Sequence, residues 1–184
     1  MDRQRCHWCN IKNPAYVKYH DEEWGVLRLD DAYLFEMLVL ESFQAGLSWE
    51  CVLNKRQAFR EAFDGFRAES VSAFDGDKIA KLMENKGIIR NKLKIGATVK
   101  NAAIFRSIVK EYGSFRAYLL EYWNGETVTE SDKTSSPLSD VISADLYRRG
   151  MRFVGTTIIY SYLQAVGIIN SHEKECFLHK KTVL

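Results

Sequence analysis

From Leu34 the chain keeps one helical face. Leu34, Leu38, Glu41 and Ala45 follow one another at steps of four, three and four, the spacing that lines up side chains on a helix. Asp30 and Asp31 stand just ahead as caps, so the pattern predicts a helix through LFEMLVLESFQAG to about Gly46. Ser48 caps a second over WECVLNKRQAFREAF, and the short Gly46-Leu47 joint makes the two helices neighbours. Asp75 or Asp77 opens a third through KIAKLMEN, which stops at Gly87. A longer helix starts after Arg90, with Ile95, Val99, Ala102 or Ala103, and Val109 at near-helical spacing, and ends at Gly113. Ser114 opens FRAYLLEYW, Ser139 caps DVISADLYRR up to Gly150, and TTIIYSYLQAV closes at Gly167. The last segment is rich in Thr, Ile and Tyr, which also suits a strand, but its length and flanking glycines favour helix. The polar stretch 125–137 reads as a loop. Nowhere is there sustained period-2 alternation with hairpin turns, so the expected fold is all-α.

Composition narrows this further. With 184 residues and 46% apolar content, the chain can bury a sizeable core as one domain or two close lobes. Two prolines leave long helices uninterrupted. No apolar run approaches a membrane span, and there is no internal repeat, low-complexity tract or linker. A net charge of +2 means that any nucleic-acid binding must come from local clustering. The N-terminus does not look like a signal peptide, so the four cysteines are expected to stay reduced in a cytoplasmic protein.

Several side chains could carry chemistry. Between Met37 and Trp49, Glu41 is the only charged residue, and a carboxylate on an apolar face is costly unless something compensates it. The bland alternative is a Glu that reaches out to solvent. Trp8, Tyr16, Tyr19 and Trp24 crowd the N-terminal segment and Trp49 follows Glu41. Such aromatics are usually core. Here they fall in a loop-like polar stretch, KNPAYVKYHDEEWG, and flat π-faces beside an acid suit a flat, cationic, hydrogen-bond-donating ligand. Residues 85–100, NKGIIRNKLKIGATVK, hold five basic residues and no acid. They straddle a turn whose Gly87 is expected to need positive φ, and amides opening the next helix could hold phosphate. Arg148, Arg149 and Arg152 form a second basic cluster. Two small clusters suit a short nucleic-acid footprint.

Cys6, His20, His172 and Cys176 would supply the two sulfurs and two nitrogens of a closed structural zinc site. His172 and Cys176 are four apart across helix-favouring residues, so a helix would put both on one face. Cys9 completes a CxxC with Cys6 and competes for its role, and His7 and His179 are spare imidazoles nearby. Spacing leaves that choice open. Four protein ligands would leave no position for a reactive water, which argues against a metallohydrolase.

The residues quoted above also carry a resemblance. RCHW, YVKYHDEEWGV, LFEMLVLESFQAGLSW, GIIRNKLKI, and RRGMRFVGTTIIYSYLQAVGIINSH with the following Cys resemble bacterial DNA-3-methyladenine glycosylase I nearly end to end. That family lies in the helix-hairpin-helix DNA glycosylase superfamily. The resemblance implies one all-helical, two-lobed glycosylase domain over 1–184, with a helix-hairpin-helix at about 77–111. It implies a monofunctional enzyme that flips out and hydrolytically excises 3-methyladenine from alkylated double-stranded DNA. The free base would be its product. It selects Cys6 over Cys9, so that Cys6, His20, His172 and Cys176 hold one structural zinc per chain and join segments 6–20 and 172–176. It makes Glu41 the catalytic residue and places Tyr16, Tyr19, Trp49, Trp8 and Trp24 around the base. On the residues themselves, Gly87, Ile88, Ile89 and Arg90 of the hairpin turn would contact DNA, and Leu47, the apolar tip of the turn after Glu41, is either a wedge that enters the duplex or a core residue of a helix-joining loop. The protein is expected to act as a monomer, away from membranes. Many superfamily members place a catalytic Asp beyond the hairpin, but no Asp or Glu lies between Ile88 and Lys110 here. The alternative is a zinc-stabilised helical module that binds DNA without acting on it.

Overall fold

Helix α2 (Asp31–Gln44) is buried at every residue from Tyr33 to Phe43. A helix that is apolar nearly all round belongs inside a fold, and Glu41 is carried in with it. The Asp30 carboxylate caps the helix by accepting the Tyr33 N–H at 2.9 Å, as the sequence predicts. A computed structural model describes residues 3–179, and α2 is one of ten α-helices among them. Helix α1 (Pro14–Glu22) precedes it. After it come α3 (Trp49–Leu53), α4 (Arg56–Ala62), α5 (Ala68–Ser72), α6 (Gly76–Glu84), α7 (Lys92–Tyr112) and α8 (Phe115–Leu120). The last two are α9 (Pro137–Arg148) and α10 (Thr156–Ala165). Helix α2 packs against α3, α7, α8 and α10, while α5 and α6 pack on α7 and α9 packs on α10.

The capping residues read from the sequence do their work. Ser48, Asp75 and Ser114 each accept a backbone N–H from the third residue on, satisfying one of the orphan amides of a helix start. The all-α expectation holds apart from one parallel pair of two-residue strands, β1 (Val128–Thr129) and β2 (Ile169–Asn170). They tie the 125–136 loop to the chain after α10.

Two devices bring distant segments together around α2. Arg56 on α4 donates to Glu36 Oε1 on α2 at 2.7 Å and to Glu23 Oε2, just past α1, at 2.7 Å. Arg60 adds a bond to the same Glu36 oxygen at 2.8 Å. The second device is Gly167, where φ is +79° and a Cβ would lie 2.2 Å from the carbonyl carbon of Val26. Only glycine permits that approach. It lets Arg28 N–H donate to Val166 O and Gly25 N–H to Gln164 O, locking the end of α10 to the segment after α1.

Several sequence expectations are corrected. The stretch KNPAYVKYHDEEWG is not a loop: Asn13 caps α1, with Pro14 in its first turn, and Tyr16, Tyr19 and His20 form its buried side. The helix predicted after Ser48 is broken at Asn54-Lys55 into α3 and α4. The cap of α9 lies three residues before Ser139: Ser136 is the cap, Pro137 fills the first position, and Ser139 answers from N3 in a capping box. His172 and Cys176 do not share a helix. The segment turns instead, with Cys176 N–H donating to Glu173 O at 2.9 Å.

Candidate active site

Glu41 opens into a cavity of about 620 Å³, within the range of small-molecule sites. Its side chain is 3% exposed, and Oε2 has no hydrogen-bond partner. Desolvation alone pushes the carboxyl up to about 8. The indole Nε1 of Trp49, in the same wall, is a buried donor without a partner. Buried polar atoms are almost always paired. An unpaired acceptor and an unpaired donor facing one cavity describe a site built for a ligand with both functions.

Aromatic rings form the rest of the wall. Tyr16, Tyr19, Trp8, Trp24 and Trp49 all line the cavity with Glu41: the two tyrosines come from α1, Trp8 and Trp24 from the segments on either side of it, and Trp49 from the start of α3. Burial pushes the Tyr16 phenol up to about 12, with Glu41 adding to the shift, and raises Tyr19 further. The Tyr19 and Trp49 rings lie 5.1 Å apart at 44°. A base held between two faces needs about 7 Å, so these two form one wall and do not sandwich a ligand between them.

Behind that wall lies the Cys/His cluster. The donor atoms of Cys6, His20, His172 and Cys176 all fall within 4.8 Å of one another, and all four residues are buried. Sγ of Cys176 is 3.5 Å from His20 Nε2 and 3.5 Å from His172 Nδ1, and Cys6 Sγ is 3.5 Å from His172 Nδ1. A tetrahedral zinc with ordinary bond lengths sets neighbouring S and N ligands about 3.5 Å apart. The outer nitrogens are already engaged. His20 Nδ1 donates to Asp21 Oδ1 at 2.8 Å, and Arg5 grips Asp21 in turn; His172 Nε2 donates to Trp24 O at 3.2 Å. These partners turn the other nitrogen of each imidazole toward the cluster, the arrangement that metal-ligating histidines use, although His20 Nε2 there also accepts the Cys6 backbone N–H at 3.2 Å. Burial lowers both imidazoles, His172 to about 4, and raises the Cys6 thiol. Cys9 stands apart, its Sγ directed at Tyr16 O at 3.9 Å. The donor set therefore fits zinc, and it fits through Cys6.

Ring contacts connect the cluster to the cavity. Trp24 meets His172 edge-on at 4.6 Å, Trp8 lies 5.2 Å from His20, and Trp8 meets Trp24 at 4.7 Å and Tyr16 at 5.5 Å. The cluster thus braces the aromatic wall.

The proposed DNA contacts occupy two turns. Leu47 is 42% exposed at the tip of the α2–α3 turn, where its N–H donates to Gln44 O. It is not a core residue. Between α6 and α7, Gly87 has no positive φ, contrary to the sequence expectation. Its constraint is space: a Cβ would lie 3.0 Å from Ala58 Cβ and 3.0 Å from Asn85 Oδ1. Lys55 Nζ holds the turn from behind through Lys86 O and Gly87 O, both at 3.3 Å. The Ile88 side chain is core, so it can offer DNA only its backbone. Among the described residues, the amides of Ile89 and Arg90 have no hydrogen-bond partner. The second basic cluster is less available than its sequence suggests. Arg149 is bound to Asp145 and Glu111, and Arg148 pairs with Asp145.

Two amides are among the cavity residues that escape the sequence reading. Gln44 lies three positions after Glu41, one turn along the same helix face, and Gln164 is the single amide in the apolar run of α10. Both signals were present but generic.

The chain matches the family model for methyladenine glycosylase over residues 8–179. It is 38% identical to DNA-3-methyladenine glycosylase 1 of Escherichia coli K12 over 179 residues, 94% of this chain and 95% of that protein. The DNA-3-methyladenine glycosylase of Haemophilus influenzae is 34% identical, over 94% of this chain and 96% of that one. Among solved structures, 3-methyladenine DNA glycosylase I from Staphylococcus aureus, studied for its recognition of 3-methyladenine, has a TM-score of 0.91 at 33% identity. That match covers 97% of this chain and 99% of the other.

Proposed function

That this chain belongs to the methyladenine glycosylase family is the premise from which we propose how its cavity works. The protein is a monofunctional DNA-repair glycosylase that excises 3-methyladenine from alkylated DNA. The supporting observation for the chemistry is the unpaired Glu41 carboxyl in an aromatic cavity. An N3-methylated adenine in DNA is a cation with an amino group at its edge. It satisfies an ionised Glu41 by charge and by hydrogen bond at once, and its charge draws the carboxyl back to the ionised form. The rings of Tyr16, Tyr19 and Trp49 face its π-system, with Trp8 and Trp24 behind them.

The reaction breaks the C1′–N9 bond, and the bonding electrons leave with the base. Because the base departs neutral, no acid needs to protonate it, which suits a hairpin with no carboxylate beyond it. Water adds to C1′ and gives up a proton, leaving an abasic site. The protein's tasks are to extrude the nucleotide, hold the base and admit water. Normal adenine lacks the charge and keeps a stronger bond, so it gains less from Glu41 and leaves more slowly. Incubation with methylated DNA, followed by chromatography of the released bases, tests the reading. Free 3-methyladenine is the expected product, and DNA binding without release would favour a plain binding module.

In this reading, Cys6, His20, His172 and Cys176 hold one structural zinc, which closes the two terminal segments on each other and takes no part in the reaction. Cys6 and Cys176 lie side by side as free thiols, which suits ligands in a reducing, cytoplasmic setting, and the enzyme acts as a single chain. The α6–α7 unit serves as the helix-hairpin-helix. Its open amides at Ile89 and Arg90, together with the Arg90 side chain, take a backbone phosphate. Gly87→Val should weaken duplex affinity by about tenfold, since the new methyls meet Ala58 and Asn85 and displace the turn. Titration with free 3-methyladenine should show unchanged affinity; a parallel fall would mean that the turn supports the fold instead.

Leu47 is the wedge of this reading, an exposed apolar tip one turn beyond Glu41. Leu47→Ala should slow excision from double-stranded methylated DNA by about tenfold, the scale of a lost unstacking contact. Single-stranded DNA imposes no such cost, so its excision rate should hold. Equal losses on both substrates would remove Leu47 from this role.

A further inference from the structure

Of the five basic residues between 85 and 100, Lys94 alone is buried, at 7% exposure. It lies in the first turn of α7, directly after the hairpin, where its own N–H is taken by the Asn91 cap at 3.1 Å. Its side chain turns away from the expected DNA face. The ammonium donates to Phe43 O at 2.9 Å and to Ala45 O at 2.6 Å. Among the described residues no carboxylate pairs with it. A buried lysine without a counter-ion is expensive, and its hydrogen bonds go to carbonyls at the C-terminal end of α2. Those carbonyls belong to the turn that carries Leu47 and sit just past Glu41.

Lys94 also heads a polar stripe. Thr98 and Asn101 follow it on the same face of α7 and are equally buried. Asn101 exchanges two hydrogen bonds with Arg152, at 2.8 and 3.0 Å. The neighbouring Phe153, at φ +56°, is held through its carbonyl by Ser42 of α2 at 3.0 Å. The Lys94 ammonium lies 5.9 Å from the Phe153 ring centroid. One face of α7 therefore binds two loops, 43–47 and 152–153, to the helix that begins at the hairpin.

We propose that Lys94 is a positioning residue that locks the 43–47 turn to the hairpin, so that gripping the DNA backbone at 87–90 fixes where the turn enters the duplex. The proposal rests on the DNA-contacting roles given above to those two turns. A rigid strut between them makes backbone docking and duplex opening one event. Without it, the turn can yield when the stack resists.

Lys94→Met keeps the length of the side chain and removes the ammonium. Single-turnover excision from methylated duplex DNA should fall by about tenfold or more, the worth of a charge-assisted hydrogen bond. Excision from single-stranded methylated DNA and affinity for free 3-methyladenine should stay within about twofold, because neither needs the turn to push against a stack. Release of 3-methyladenine by the wild type on single strands checks the enzymatic reading separately. Equal losses on both substrates with weaker free-base binding would show that the lysine only supports Glu41, and an unchanged duplex rate would remove its role. In combination with Leu47→Ala the duplex losses should be less than additive, and full additivity overturns the proposal. Amide exchange of the wild type needs no variant: undamaged duplex should protect 45–47 together with 87–90. Protection confined to the hairpin would contradict the strut.

Discussion

Glu41→Gln should slow excision of 3-methyladenine and weaken binding of the free base, each by roughly 10- to 100-fold, while the protein stays folded. The substitution keeps the shape, removes the charge and turns one acceptor into a donor that faces the amino group of the base. Stability should move the other way. Burial holds the folded Glu41 carboxyl near 8, against an ordinary value of 4.5, so the unfolded chain releases its proton first. Stability contributed by the neutral carboxyl is complete below about pH 4.5 and is lost as pH rises toward 8, by on the order of 4 kcal/mol in all. Glutamine has no proton to lose. The thermal midpoint of Glu41→Gln should therefore gain on the wild type between pH 5 and pH 8, by several degrees at the upper end. Free-base affinity, single-turnover rate and thermal scans on one preparation decide the matter. A variant that melts early yet keeps its ligand would make Glu41 a structural residue. A variant that loses affinity yet excises at the wild-type single-turnover rate would make it a recognition group alone.

Cys176→Ala should abolish stoichiometric zinc and lower stability by about 4 kcal/mol or more, the scale reached when a protein loses a metal. For a chain of this length that is a fall of about 10 °C in midpoint. Cys9→Ala removes a buried thiol from the same neighbourhood and should keep one zinc per chain. The two variants separate ligand from neighbour, as the 3.9 Å contact of Cys9 with Tyr16 O implies. Because Trp24 rests on His172 and Trp8 on His20, metal loss should also weaken 3-methyladenine binding at temperatures where the protein is still folded. Metal analysis and base titration test both halves, and full zinc retention in Cys176→Ala would overturn the ligand set.

The helices around α2 were readable because their signals are local. Asp30, Ser48, Asp75 and Ser114 each bond an amide three residues ahead, and such caps leave a trace in sequence whatever the tertiary surroundings. Helix α1 was missed because three of its nine residues are buried and the rest are polar or small, so it shows little periodicity; packing under the cluster holds it. The segment from His172 to Cys176 failed for the opposite reason. Glu-Lys-Glu favours helix, yet the two donors must converge on His20 and Cys6, and a tight turn delivers them. Glu41 and the aromatics were legible as a site, since an isolated acid in an apolar run is locally anomalous. Gly87 was singled out for the wrong reason: its restriction is one of space, set by Asn85 Oδ1 and by Ala58 of another helix, a contact that no local reading contains. Lys94 reads in sequence as one of five cations in a run, and a charge run says nothing about which member turns inward. Arg149 reads the same way, and its partner Glu111 lies on another helix.

The contact between Trp24 and His172 carries a consequence for the order in which the protein is made. Glu41, the hairpin and most of the core leave the ribosome well before residue 172 exists. Until then Trp24 lacks the ring that backs it, because His172 follows it in the chain only after the whole of the helical core. A chain that has not yet reached residue 172 thus holds Glu41 in place while the wall around it is unfinished. The wall that faces the base is therefore complete only once the segment from His172 to Cys176 has docked behind Trp8 and Trp24.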